Sequence, residues 1–254
     1  MIYITGDCHS DFYRFTTDVF PEQEEMTKED TVIICGDFGG IWYQENSEYI
    51  KRENSELDFL ESRPFTTVFV CGNHENFDRL NSFPVKEWNG GLVHEIRPHV
   101  LHLIRGEVYM IEDKKIFAFG GASSHDISDG ILDYDDENWK EKAKALDKQG
   151  KYMYRIKGLS LWQQELPSAE EMQNGIENLK KHDNKVDFIV THSPSASVIA
   201  LLGHGLYKQD TLTRYLEEIR CSTEYTRMFS GHMHIDRQIN DKDILLYEQI
   251  IRIN

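Results

Sequence analysis

Acidic and imidazole side chains recur in this sequence at one kind of position, directly after a short apolar run. In the stretch ITGDCHS, Asp7, Cys8 and His9 follow the run that ends at Gly6. Four later stretches repeat the arrangement: Gly36-Asp37, Gly72-Asn73-His74-Glu75, Thr191-His192-Ser193 and Gly231-His232-Met233-His234. A glycine followed by an aspartate is usually only a turn. Because that explanation would have to hold at every one of these stretches, the pattern instead predicts a shared metal site.

The donors in these stretches favour two divalent ions rather than one. They comprise two aspartates, one asparagine and four histidines, which is too many for one tetrahedral zinc. Mixed imidazole, carboxylate and amide oxygen ligands suit manganese, iron, zinc or nickel, and we expect two divalent ions with manganese as the first choice. Two ions about 3.5–4 Å apart clamp the attacking and leaving oxygens of an in-line displacement. The predicted chemistry is therefore phosphoester hydrolysis.

The apolar runs predict strands that bring these residues to one edge of a sheet. MIYITGD, DTVIICGD and TTVFVCGN end in the same way, and the polar stretches 11–30 and 45–62 between them favour helices. Strand, helix and strand at a spacing of about thirty residues is typical of βαβ units with a parallel sheet. Ligands bind at the carboxyl edge of such a sheet.

The second half of the chain is predicted to begin with a hairpin region at about 100–121. Further on, Ser168 and Glu171 form a capping box at the start of a helix, and VDFIVTHSP indicates another buried strand. Residues 125–165 are polar, acidic and aromatic, with one helix predicted at 136–148 and no sheet pattern. We therefore expect a single domain over residues 1–254, in which 125–165 is a lid, an insertion or a dimer contact.

Composition limits the partners of the chain. Its net charge of -16, from 44 acidic and 28 basic side chains, repels polyanions, so long nucleic acid is not expected as a partner. A local site for one phosphate group remains compatible with this charge because bound cations dominate their own surroundings. No apolar run approaches the roughly 18–20 residues that span a bilayer, and no secretory signal is present. We expect a cytoplasmic protein without a membrane partner.

The order D-x-H, G-D, G-N-H-E, a lone His and G-H-x-H resembles the calcineurin-like metallophosphoesterase superfamily, with residues 125–165 outside the shared motifs. The resemblance implies an α/β fold of two packed mixed β-sheets flanked by helices, a four-layer αββα sandwich. It implies that a first metal is held by Asp7, His9, Asp37 and His234. A second metal would be held by Asp37, Asn73, His192 and His232, with Asp37 as the bridge.

The resemblance also implies roles in the reaction. His74 matches the family position that protonates the leaving oxygen or steadies the charge of the transition state. The nucleophile would be a metal-bridging hydroxide, which forms near neutral pH because the ions lower the pKa of water.

The second motif departs from that of the protein phosphatases in this superfamily. Those enzymes continue it as G-D-x-V-D-R-G, whereas here Gly40 and Ile41 replace the aspartate that orients the histidine and the arginine that grips phosphate. Ser10 also replaces the usual glycine after the first histidine. The protein-phosphatase branch is therefore disfavoured.

Other polar residues are secondary candidates. Arg79, close after His74, is a candidate phosphate contact, and His125 or Asp126 in GGASSHD is a candidate substrate contact. Buried thiols pack as small apolar groups, so we expect the cysteines at the strand ends to be structural. The remaining histidines lack ligand spacing and are expected at the surface or in satisfied packing: His94, His99, His102, His182 and His204.

The leading hypothesis is a di-metal phosphatase or phosphodiesterase that acts on a small phosphorylated substrate. One alternative is a nuclease acting on the phosphodiesters of nucleic acids. Another is a catalytically inactive metal-binding scaffold with the same fold. The motifs are the same for monoester and diester hydrolysis, so they leave the natural substrate open, and the oligomeric state is open as well.

Overall fold

The computed structural model describes residues 1–203 and 208–254, so His204 lies outside the described part of the chain. The helices there are α1 (Ile50–Glu61), α2 (Phe77–Leu80), α3 (Trp139–Lys148), α4 (Ala169–Lys181), α5 (Ala196–Gly203) and α6 (Thr211–Ser222). The strands are β1 (Ile2–Thr5), β2 (Thr31–Ile34), β3 (Thr66–Phe69), β4 (Val85–Trp88), β5 (Gly91–Arg97), β6 (Val100–Leu103), β7 (Glu107–Ile111), β8 (Lys114–Phe119), β9 (Gly130–Asp133), β10 (Tyr154–Lys157), β11 (Phe188–Thr191), β12 (Arg227–Ser230), β13 (Arg237–Gln238), β14 (Asp243–Leu245) and β15 (Ile251–Arg252).

Two mixed sheets form the centre of the fold. The first has seven strands in the order β15-β1-β2-β3-β6-β5-β4, and its strands β1, β2, β3 and β6 run parallel. The second has six strands in the order β13-β14-β12-β11-β8-β7, with β14, β12, β11 and β8 parallel. The parallel order of β1, β2 and β3 confirms the predicted parallel sheet.

Successive side chains of a strand point to opposite faces of the sheet, which explains how these sheets pack. Ile2 and Ile4 of β1 lie in a buried cluster that also contains Val190 of β11, so the two sheets share one core. Tyr3, between them, points to the opposite face and packs with Leu57 of α1. Helices α4 and α6 cover the outer face of the second sheet. The fold that the resemblance implied, two packed mixed sheets flanked by helices, is confirmed.

The cysteines at the strand ends pack as predicted. Cys8 and Cys71 are buried in the cluster beneath α1, and Cys35 is buried between the two sheets. These thiols are free, and burial raises the pKa of Cys8 to about 12. A thiol with so high a pKa is a poor nucleophile at neutral pH, which agrees with a structural role.

The stretch 11–30 does not form the helix that its polarity suggested. It contains two short 3-10 helices, Tyr13–Phe15 and Pro21–Glu25, and the buried side chains of Phe15 and Phe20 anchor the segment to the core. Proline disfavours the helical conformation of the residue before it, so Pro21 prevents a helix from running through Phe20. The prediction of a helix over this stretch was therefore wrong.

The segment 125–165 contains the predicted helix as α3, but it also holds a sheet that was not predicted. Strands β9 and β10 pair in parallel as a separate two-stranded sheet. Both strands are only partly buried, so their alternation of apolar and polar residues is short and weak. That the whole chain forms one domain with a lid or insertion here stays a prediction.

Two local predictions are confirmed downstream. Strands β7 and β8 form an antiparallel hairpin within the expected region. At the start of α4, Ser168 Oγ accepts a hydrogen bond from Glu171 N at 3.1 Å, and Ser168 N donates to Glu171 Oε2 at 2.7 Å. This reciprocal pair is the capping box that the sequence indicated. Within the described ranges, none of the helices combines the length and apolarity that a bilayer crossing needs.

Phe117 tests the outer core of the second sheet. Its side chain is fully buried (0% exposed) among residues of α4 and α6, so Phe117→Ala leaves a cavity that the surrounding elements fill only in part. We expect the free energy of unfolding, measured with denaturant, to fall by about 3–5 kcal/mol. The matched control is Tyr152→Ala, at a side chain that is 70% exposed, which should change it by less than about 0.5 kcal/mol. Equal effects of the two substitutions would contradict this packing.

Candidate metal centre

The five motif stretches meet at the carboxyl ends of parallel strands from both sheets. Asp7, Asp37 and Asn73 follow β1, β2 and β3 of the first sheet, while His192 and His232 follow β11 and β12 of the second. Because the two sheets pack face to face, these strand ends lie together at one edge of the sandwich. The loops are also tied to one another, since the backbone N–H groups of Cys8 and His9 donate to the Asp37 carbonyl.

Four of the predicted ligands form a compact cluster. Asp7, His9, Asp37 and His234 each offer one ligand atom, and these atoms lie within 4.8 Å of one another. His9 Nε2 is 3.0 Å from His234 Nε2, and His234 Nε2 is 3.2 Å from Asp7 Oδ2. Two imidazole nitrogens that face each other beside buried carboxylates need a proton or a cation between them. This donor set fits a divalent ion and matches the first of the two predicted ligand groups.

The second predicted group adjoins the first through Asp37. His192 Nε2 lies 3.3 Å from Asp37 Oδ1 and 3.3 Å from Asn73 Oδ1. The His232 ring is next, with its centroid 5.0 Å from that of His192, and its Nε2 is 3.1 Å from His125 Nε2. The structure thus brings the second set of predicted ligands together and puts His125, a predicted substrate contact, at the margin of the group.

The backbone at these positions is strained. His9, Asp37, His232 and His234 have φ angles of 48°, 43°, 66° and 49°, in the left-handed region that side chains with a Cβ rarely adopt. Such conformations cost on the order of 1–3 kcal/mol each and persist only where the surrounding structure imposes them. The strain turns these side chains toward a common centre, which is consistent with a functional site.

Two glycines in the motifs are required by close approach. A Cβ on Gly72 would lie 2.0 Å from Asp37 Oδ1, and a Cβ on Gly231 would lie 2.1 Å from Asp7 Oδ1. These gaps let the backbone reach the buried carboxylates. Asp37 Oδ1 accepts hydrogen bonds from the N–H groups of Asn73 and His74, both at 2.8 Å.

The electrostatics of the cluster show how a cation would be accommodated. Burial lowers the pKa of His192, but Asp37 and Asp7 more than offset this and raise it to about 9. Burial tends to raise the pKa of the Asp37 carboxyl. The positive charge of His192 and the other nearby histidines together have the larger, opposite effect, so the pKa of Asp37 lies well below its usual range. His192 Nδ1 lies 2.8 Å from the Cys35 carbonyl and donates to it, which leaves Nε2 facing the other ligands.

The orientation of the Asn73 amide is fixed by residues that sequence reasoning missed. Asn73 Nδ2 donates to Ser124 Oγ at 3.3 Å, and Ser124 Oγ donates to Glu165 Oε2 at 2.7 Å. This chain turns Asn73 Oδ1 toward His192. Burial raises the pKa of Glu165 to about 7. Glu75 was also unassigned; it is buried, and its Oε1 accepts a hydrogen bond from Phe38 N at 2.9 Å, which holds the loop after Asp37.

His74, the predicted catalytic residue, lies at the edge of the cluster. Its ring centroid is 4.9 Å from that of His9, and its Nε2 accepts a hydrogen bond from Arg155 Nη2 at 2.9 Å. Burial lowers the pKa of His74, and although Asp37 opposes this, the nearby Arg155 adds to it, so that the pKa falls to about 4. His74 is therefore neutral at neutral pH in this arrangement. A cleft of about 290 Å³ has both His9 and His74 in its wall.

Arg79 is engaged elsewhere. Its guanidinium Nη1 is 2.6 Å from a carboxylate oxygen of the buried Glu53 and donates to the Tyr43 carbonyl at 2.5 Å. These contacts neutralise its charge, and Arg79 is absent from the residues that line the cleft beside His74. Its predicted contact with phosphate stays a prediction that this arrangement does not favour.

Four of the histidines without ligand spacing belong to the described residues, and all four lie outside the ligand cluster. His94 and His102 are buried on adjacent strands, stacked with their Nδ1 atoms 2.9 Å apart. His99 pairs with Thr66, and His182 is the C-cap residue of α4. These positions agree with the predicted packing or surface roles, except that the buried Nε2 of His102 has no hydrogen-bond partner among the described residues.

Ser124→Ala tests the chain of hydrogen bonds that orients Asn73. Without the Ser124 hydroxyl, Asn73 Nδ2 loses its acceptor, so the amide is free to turn its oxygen away from the other ligands. Outer partners of this kind change metal affinity by about 10- to 100-fold. We expect the affinity for Mn²⁺, measured by calorimetry, to fall by that factor. Ser55→Ala, on the exposed face of α1, is the control, and an unchanged affinity in Ser124→Ala would contradict the assigned role.

His192 predicts how metal binding depends on pH. Its pKa of about 9 lies above the ordinary value of 6.5, so its proton stabilises the metal-free fold fully below pH 6.5, and this contribution is lost as the pH rises through about 9. A metal ion competes with that proton. We expect Mn²⁺ binding to tighten from pH 6.5 to 9 and to release a proton, measured by calorimetry in buffers of different ionisation enthalpy. An affinity independent of pH over this range would refute the prediction.

Comparison with known proteins agrees with this site. The family model for calcineurin-like phosphoesterase matches residues 1–236. The chain is also 25% identical over 144 residues to lariat debranching enzyme A of Xenopus laevis, a match that covers 51% of this chain and 25% of that protein. The aligned part is thus about a quarter of the length of this curated relative. Since the family model spans nearly the whole chain, the chain belongs to the calcineurin-like phosphoesterase family.

Proposed function

We propose that the protein is a metal-dependent hydrolase that cleaves a phosphate ester of a small molecule. The observation that carries the proposal is the cluster of Asp7, His9, Asp37 and His234, whose ligand atoms lie within 4.8 Å of one another. These residues would hold one divalent ion, with manganese as the first choice. Asp37 would be shared with a second ion, whose other ligands would be Asn73, His192 and His232. Bound ions would lower the pKa of water and thereby supply a nucleophile near neutral pH.

The residues around the cluster would bind and orient the ester. The cleft of about 290 Å³ runs between His9 and His74, and it is also lined by Trp42 and Tyr43. A larger cleft of about 630 Å³ shares His9 and Tyr43 and continues past Tyr13. An ester bound above the ions would place its leaving group in one of these clefts. His74 would face the reacting phosphoryl group, where it donates a hydrogen bond or steadies developing charge.

Hydrolysis of model esters tests the proposal. Protein reconstituted with manganese, iron, zinc or nickel should hydrolyse p-nitrophenyl phosphate, bis(p-nitrophenyl) phosphate or both. His74→Ala should lower kcat by about 10²- to 10⁴-fold while the metal content, measured by elemental analysis, stays the same. The control is His182→Ala at the end of α4, which should retain full activity. If no metal supports turnover of either ester, the proposal fails.

A nuclease is the second candidate because the chain is similar to a lariat debranching enzyme. The net charge of -16 opposes a long anionic partner, so a small ester remains the first choice. Cleavage of single-stranded RNA or DNA that requires metal and weakens steeply with salt would favour the nuclease. An inactive metal-binding scaffold would instead bind metal and turn over none of these substrates.

A further inference from the structure

Arg155 enters the site from outside the shared motifs. It lies on β10, in the segment 125–165, and its side chain is only 4% exposed. Its Nη2 donates to His74 Nε2 at 2.9 Å, so the guanidinium borders the same ring that lines the cleft beside His9. A guanidinium from this segment is therefore held at the edge of the predicted metal centre.

The guanidinium is fixed in place by two further partners. Arg155 Nε is 2.8 Å from Asp126 Oδ1 and 2.9 Å from Asp126 Oδ2, and Nη1 donates to the Ser160 carbonyl at 2.8 Å. With His74, these partners use three of the five N–H groups of an arginine. In the contacts of the described residues, the other two N–H groups have no acceptor, so they can donate to a ligand. The orientation is set before any ligand binds, which reduces the entropy cost of a further hydrogen bond.

Two other arginines near the motifs are held by partners away from His74. The second motif has Ile41 in the position of the phosphate-gripping arginine of the protein phosphatases. Arg79 pairs with the buried Glu53. Arg14 donates to the carbonyls of Asp7 and Tyr247. Arg155 also has a carboxylate partner, Asp126, but it differs from Arg79 and Arg14 because it donates directly to His74. A phosphoryl group bound against His74 would therefore lie next to the Arg155 guanidinium.

We propose that Arg155 is the phosphate-binding arginine of this protein. It donates its remaining N–H groups to a non-bridging oxygen of the phosphoryl group, and Asp126 keeps it aimed at His74. Arginine suits this task because its planar fork of donors matches phosphate oxygens, and a nearly buried position strengthens the contact. This inference rests on the proposed function. It makes the segment 125–165 a part of the substrate site.

The test compares three variants with the wild-type protein, all loaded with manganese. Arg155→Ala should raise KM for bis(p-nitrophenyl) phosphate and weaken the binding of inorganic phosphate, measured by calorimetry, by about 10- to 100-fold each. Arg155→Lys should recover part of the phosphate affinity because it keeps the charge. Lys157→Ala, an exposed position on the same strand, should behave as the wild type.

Added guanidinium ion distinguishes loss of the Arg155 side chain's function from a folding defect of the variant. At millimolar concentration it should restore part of the activity of Arg155→Ala and have no such effect on Lys157→Ala. Asp126→Asn keeps the arginine but weakens its anchor, so it should raise KM by a smaller factor. If Arg155→Ala and Arg155→Lys both bind phosphate and turn over the ester as the wild type does, this assignment alone is overturned. If the wild-type protein turns over no ester, the proposed function is overturned together with it.

Discussion

The burial of two carboxylates is the constraint on which the rest of the site depends. Asp7 and Asp37 are each 1% exposed, at the edge where the two sheets meet. A buried carboxylate is costly unless hydrogen bonds and an opposite charge compensate it. Backbone N–H groups of His232, Asn73 and His74 supply the hydrogen bonds. Gly72 and Gly231 leave room for these N–H groups to reach the carboxylates. The left-handed φ angles of the ligand residues likewise keep the loops close to the two carboxylates.

The layout of the site was predictable because it depends on strand ends. Short apolar runs define β1, β2, β3, β11 and β12, and the carboxyl ends of parallel strands in one sheet share an edge, so the runs place the motif side chains at the edge of each sheet. The face-to-face packing of the two sheets then brings the two groups together. The capping box of α4 was equally local. The helix over 11–30 failed because the polarity of that stretch was given more weight than Pro21, which is incompatible with a continuous helix there.

The contributions of the segment 125–165 were beyond sequence reasoning for a different reason. Arg155 and Glu165 follow no motif, and they reach His74 and, through Ser124, Asn73 only because the segment folds back over the sheet edge. No local pattern encodes such a return. Asn73 and His74 thus depend on the segment 125–165, which lies outside the shared motifs. The paired strands β9 and β10 give this segment a defined structure.

The contact between His9 and His234 has a consequence for how the protein is made. The two residues are 225 positions apart, yet their Nε2 atoms are 3.0 Å apart in the first ligand cluster. A chain emerging from the ribosome therefore lacks this cluster until His234 has been synthesised. Long-range closures of this kind form late and slowly. Because an ion would bind there only where the loops of His9 and His234 have come together, it would stabilise the assembled sheets relative to the unfolded chain.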